Sequence, residues 1–144
     1  MFQVILCASI FALSGGLMFD DGPCDLSPNG MPDPDHSMNY KIEVPKSCVN
    51  GTFRWDYPRG TAVLYFADYT KTTTVCFREL VGGWDYTLTD LTPGHGNATL
   101  PHIQDRDRSI PICTNSTFVD SLVIQVKPDH LVYVGEFIYQ LKFK

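Results

Sequence analysis

The stretch Gly51-Thr-Phe-Arg-Trp-Asp-Tyr-Pro-Arg-Gly60 decides the class of fold. Phe53, Trp55 and Tyr57 recur at period two, so in a pleated strand they share one face while Arg54 and Asp56 take the other. Such a strand is half buried. Pro58 presets φ for the second position of a β-turn and Gly60 suits the fourth, so the chain is expected to reverse there. The next apolar run, Ala62 to Phe66, is then expected to pair back as a hairpin.

The same alternation extends on both sides. Tyr40, Ile42 and Val44 alternate with Lys41 and Glu43 before Pro45, which reads as a short edge strand. Thr61 to Tyr69 is apolar on both faces, as expected of a central strand covered by two layers. Thr73 to Val81 and Trp84 to Leu91 flank Gly82-Gly83, a pair that accepts the positive φ of a tight turn, so a second hairpin is predicted. It would set Phe77 opposite Leu88, Glu79 opposite Tyr86 and Val81 opposite Trp84, with Cys76 on the other side of the sheet. Thr92 to Ser109 reads as a long polar loop, and Ile110 to Cys113 and Phe118 to Val126 as strands. Lys127-Pro128-Asp129-His130 reads as a turn. The last strand carries Leu131, Tyr133, Phe137, Tyr139, Leu141 and Phe143 on one face, with Gly135 an expected bulge. Short strands punctuated by turn residues, with no amphipathic helix, predict an all-β sandwich.

The N-terminus reads as a targeting segment. Phe2, Val4 to Cys7, Ile10, Phe11 and Leu13 make a short apolar core followed by Ser14, Gly15 and Gly16, so 1–18 is expected to be a signal peptide. That run is shorter than the ~20 residues of a spanning helix, and the product is expected not to span a membrane. Residues 19–39, with Pro28, Pro32 and Pro34, read as an extended arm tethered by Cys24, and 40–144 as the sandwich domain. Removal of the signal takes Cys7 with it, leaving Cys24, Cys48, Cys76 and Cys113, an even set on an oxidising route. Four cysteines admit three pairings and the residues alone do not choose; the sequential one, Cys24 with Cys48 and Cys76 with Cys113, is the expectation. A zinc site is disfavoured because no C-x-x-C pair occurs. Sequons at Asn50, Asn97 and Asn115, all in expected loops, complete a secretory signature. The 144 residues carry a net charge of −5 and no basic stripe, so nucleic acid is a poor partner.

The sequence shows no catalytic set. Ser109 and Ser121 lack a nucleophile elbow, and the paired cysteines are not expected to act as thiolates. His36, His95, His102 and His130 lie scattered in loops, each expected to be solvated. Acids such as Asp33 with Asp35, or Asp120, do not complete a calcium loop, so no metal or other cofactor is expected. Trp55, Tyr57, Trp84 and Tyr86 could form a binding surface, but their alternation argues for core packing.

The pattern Gly51, Trp55, Tyr57, Pro58 and Gly60 after a cysteine, with Val75-Cys76 and the closing Phe137-Ile-Tyr-Gln-Leu141, resembles the N-terminal CUB-like domain of the secreted meteorin and meteorin-like proteins. The resemblance spans Cys24 to Lys144. It implies a CUB-like jelly-roll β-sandwich with two sequential disulfides, in agreement with the pairing expected above. It further implies a secreted, non-enzymatic binding module or signalling ligand that meets an extracellular protein, a cell-surface receptor among them, or a glycan. The alternative function is a structural component of an extracellular matrix or secreted coat.

Overall fold

The computed structural model describes residues 22–28, 39–55, 60–66, 71–81, 86–101, 110–115, 121–129 and 135–144, with the backbone alone at 79–81. Among them the strands are β1 (Asp25–Leu26), β2 (Asn39–Val44), β3 (Asn50–Trp55), β4 (Thr61–Phe66), β5 (Thr73–Val81), β6 (Tyr86–Asp90), β7 (Ala98–Thr99), β8 (Ile112–Asn115), β9 (Val123–Pro128) and β10 (Gly135–Phe143). They form two five-stranded sheets, sheet I in the order β1-β3-β10-β5-β8 and sheet II in the order β2-β4-β9-β6-β7. Apart from β6 and β7, consecutive strands lie in opposite sheets. This is the all-β, jelly-roll sandwich that the sequence led us to expect.

Neither predicted hairpin forms. β3 pairs with β1 and β10, whereas β4 pairs with β2 and β9. β5 and β6 part company in the same way: Phe77 lies opposite Tyr139 and Ile112, Glu79 opposite Phe137 and Val81 opposite Glu136, while Leu88 lies opposite Val126. A Pro/Gly turn specifies that the chain reverses. It does not specify whether the returning strand settles alongside, ~4.8 Å away, or in the other layer, ~10 Å away. A strand with one oily face is satisfied equally well by a sheet opposite, so local signals leave that choice to the whole core.

That core lies between the sheets and is built of rings that reach across it. Trp55 of sheet I meets Tyr40 and Tyr86 of sheet II at 6.2 and 6.3 Å, Tyr86 meets Phe137 at 5.2 Å, and Phe66 meets Tyr139 at 5.7 Å. All four contacts are edge-on, the arrangement that sets a ring's positive edge against its neighbour's negative face. β4 is interior to its sheet as expected, yet only Ala62, Leu64 and Phe66 are buried; Val63 and Tyr65 are half exposed on its outer side.

Two glycines have identifiable reasons. A Cβ on Gly51 would stand 2.0 Å from the Cys24 carbonyl oxygen and 2.6 Å from the Tyr139 hydroxyl. With no side chain there, Tyr139 donates to that carbonyl at 3.0 Å and the Thr52 N–H donates to it at 3.2 Å, docking β1 parallel to β3. β1 therefore joins the sandwich, and Leu26 is buried in its core. At Gly135 a Cβ would lie 2.3 Å from the Tyr86 ring. Its role is close approach; the register shift between β10 and β5 falls between Glu136 and Phe137, just past the expected bulge.

Candidate binding faces and the aspartate between the sheets

The outer face of sheet I takes shape from its register. Asn50, Gln140, Cys76 and Cys113 stand opposite one another in a row across β3, β10, β5 and β8. Rows on either side hold Thr52, Ile138 and Arg78, and Lys142, Thr74 and Asn115. Cys76 points away from the core because it alternates with the inward Val75 and Phe77, and its bridge to Cys113 crosses the two strands on the outside. The other disulfide, Cys24–Cys48, buries Cys48 completely and fixes β1 to the chain just before β3. Both pairings are those expected. A cavity of about 360 Å³ opens over the row, walled by Asn50, Cys76, Arg78, Pro111, Ile138 and Gln140.

Sheet II presents a different exterior. Lys41 and Glu43 on the edge strand β2 join at 2.9 Å, and the Lys41 ammonium lies 4.7 Å from the centre of the Tyr65 ring. The hydrogen bond that the Lys41 ammonium donates to the Glu43 carboxylate, together with the charge of that carboxylate, raises the Lys41 pKa. Val44, Pro45, Lys46, Phe66 and Ser121 extend this region into a depression of about 630 Å³.

A polar knot closes one end of the sandwich. Asp90 ends the alternating run Tyr86, Leu88, Asp90 on the inward side of β6 and is 1% exposed. Its carboxylate accepts the Thr92 N–H at 2.9 Å, the His95 Nδ1 proton at 2.7 Å and the hydroxyl of Thr114 from β8 of sheet I. Thr92, also buried, accepts the Val123 N–H on its hydroxyl at 3.1 Å. Burial pushes the Asp90 pKa up, but the hydrogen bonds from Thr114, Thr92 and His95 outweigh it and hold the carboxyl below its ordinary value. The knot thus ties the two sheets together through one charged acceptor. His95, expected to be solvated, is instead drawn into it. An Asp-oriented imidazole is half of a nucleophile-activating set; among the described residues no hydroxyl or thiol hydrogen-bonds to the His95 ring.

The sequence-derived site residues fall into three groups. Trp55 and Tyr86 are core, 0% and 2% exposed, and Gly60 adopts a φ of 125°. Of the sequons, Asn97 lies before β7 with a φ of 56°, whereas Asn50 opens β3 and Asn115 closes β8, so these two belong to strand ends and not to loops. Tyr57, Pro58, Gly82, Gly83, Trp84, His36, His102, His130, Asp33, Asp35, Ser109, Asp120 and the signal segment 1–18 lie outside the described residues. Sequence reading missed Asp90 and Thr114. The available signal was an acid at an inward position of an alternating strand, since an acid there must be matched by donors from the facing layer.

No family model matches the chain, and no curated protein matches it. Among solved structures it is similar to PliG, a periplasmic inhibitor of g-type lysozyme from Aeromonas hydrophila, at 10% identity and a TM-score of 0.46 over 74% of this chain and 100% of that one. It is also similar to the pre-peptidase C-terminal domain of collagenase from Bacillus anthracis, at 16% identity and a TM-score of 0.45 over 79% of this chain and 100% of the other.

Proposed function

We propose that this chain is a secreted, glycosylated, non-enzymatic recognition module of the meteorin-like kind, which engages an extracellular protein through the outer face of sheet II. Two disulfides fit an oxidising compartment, and no helix among the described residues is long and apolar enough to cross a membrane. The observation that carries the reading is the asymmetry of the two exteriors. Asn50 and Asn115 both stand on sheet I, where sugars would crowd out a protein partner; the third sequon, Asn97, precedes β7 at the far edge of sheet II from β2 and β4, where Lys41 and Tyr65 lie beside the larger depression. An aromatic side chain with a polar rim is the composition of an interface anchor.

The test is saturable binding of the labelled, secreted protein to cell surfaces, with Tyr65→Ala and Lys41→Glu compared at unchanged thermal midpoint. Loss of binding in both variants is expected; undiminished binding overturns the assignment to sheet II. Displacement by free oligosaccharides would make the partner a glycan. Concentration-dependent growth in light scattering, with no saturable cell binding, would favour the matrix or coat component.

A further inference from the structure

The cavity on sheet I has one wall made by a sequon asparagine. We propose that it is the seat of the chain's own sugar: the first residues of an Asn50-linked glycan pack into it and cover the Cys76–Cys113 disulfide. This rests on the reading that the chain is a secreted glycoprotein.

Asn50 is exposed at the start of β3, and its side chain borders the cavity together with Gln140 and Arg78. In the attachment, the Asn50 amide nitrogen bonds to the anomeric carbon of a polyprenyl-diphosphate-linked oligosaccharide. The bond from that carbon to the diphosphate oxygen breaks, and the amide gives up one proton as the lipid diphosphate leaves. The first sugar therefore begins at the cavity wall. Its hydroxyl and acetamido groups face an amide that donates and accepts and a guanidinium with five N–H donors. Its less polar ring face meets Ile138, Pro111 and the cystine. At about 360 Å³ the space falls within the range of small-molecule sites.

Asn115 supports the same arrangement from the far edge. It lies three strand spacings from Asn50, about 14 Å, in the adjoining row. Its side-chain oxygen accepts a hydrogen bond from the Thr74 hydroxyl. That bond uses the carbonyl oxygen of the amide, so the nitrogen that would carry a sugar is left for attachment while the side chain is held in place. Glycans at both positions would approach the row of Gln140, Cys76 and Cys113 from its two sides.

The experiment uses the chain secreted from a eukaryotic cell, treated with peptide N-glycosidase under native and denaturing conditions, with release followed at each sequon by glycopeptide mass spectrometry. Native release at Asn50 is expected to be roughly tenfold slower than at Asn97, as for a group that reacts only from a minor undocked population, with the two alike after denaturation. Arg78→Ala should speed release at Asn50 and leave Asn97 unchanged. Asn50→Gln should hasten reduction of Cys76–Cys113 by a small thiol several-fold by the same opening logic. Equal native release at Asn50 and Asn97, or an unmodified Asn50 beside a modified Asn97, overturns the seat and leaves the glycoprotein reading standing. Absence of sugar at every sequon overturns both.

Discussion

The two sheets are alike on the inside and unlike on the outside. Each turns a period-two row of large side chains inward, Phe53, Trp55, Phe137 and Tyr139 from sheet I, Tyr40, Leu64, Phe66 and Tyr86 from sheet II. Outward, sheet I carries a cystine and two sequon asparagines, whereas sheet II carries the Lys41–Tyr65 stack and the Lys41–Glu43 pair at one edge, with the third sequon, Asn97, beside β7 at the other. The inner faces obey one rule, removal of apolar area from water. Outer faces are free of that rule, so it is there that the layers can differ in what they meet.

The sharpest way to break the likeness of the interiors is to truncate one ring from each. Trp55→Ala and Phe66→Ala should each cost about 3–5 kcal/mol, a large share of a small domain's stability, measured by urea unfolding. A cost at one site several times that at the other would show that one layer dominates the core.

The disulfides separate the exteriors. Replacing either pair with serine should cost about 3–4 kcal/mol on the chain-entropy model, because the loops of 24 and 37 residues are similar in length. Reduction should not be similar. Cys48 is fully buried and its partner Cys24 half-buried, whereas Cys113 is exposed beside the buried Cys76, so in protein stripped of sugars a small thiol should open Cys76–Cys113 first, at the Cys113 sulfur. Alkylation and peptide mapping follow this directly, and simultaneous opening would erase the contrast.

Asp90 tests what ties the layers together. Asp90→Asn should cost about 1–3 kcal/mol at neutral pH, the loss of a charged acceptor shared by buried donors. Because the folded state depresses the Asp90 pKa, its contribution is full above the ordinary carboxylate value, about 3.9, and fades as the pH falls through the lower folded value. The gap between wild type and variant should therefore narrow in acid below about pH 4. A gap that stays constant down to about pH 2 would mean that shape, and not charge, makes the stitch.

Lys41→Ala should have the smallest effect on folding, leaving the thermal midpoint in place, since its partners Glu43 and Tyr65 are also at the surface. Its effect belongs to binding. A marked fall in midpoint would make the sheet II exterior a stability element.

The amino-acid order by itself determined the alternating strands β2, β3, β5 and β10 and the burial of Trp55, because alternation is a local property that the pleat converts directly into two faces; it did not mark β1 or β7, which fall in segments read as arm and loop, nor the exposure of Phe143, read as inward. It also carried the expectation of the disulfide pairs. Only the tertiary structure decided that β4 lies in the other sheet from β3 and β6 in the other sheet from β5, that Gly51 makes room for Tyr139 to reach the Cys24 carbonyl, and that Asp90 takes donors from Thr92, His95 and Thr114. Each of those depends on groups far apart in the chain meeting in three dimensions. The same holds for the shared face of Asn50 and Asn115, since strand partnership between distant segments is set by the packing of the whole core.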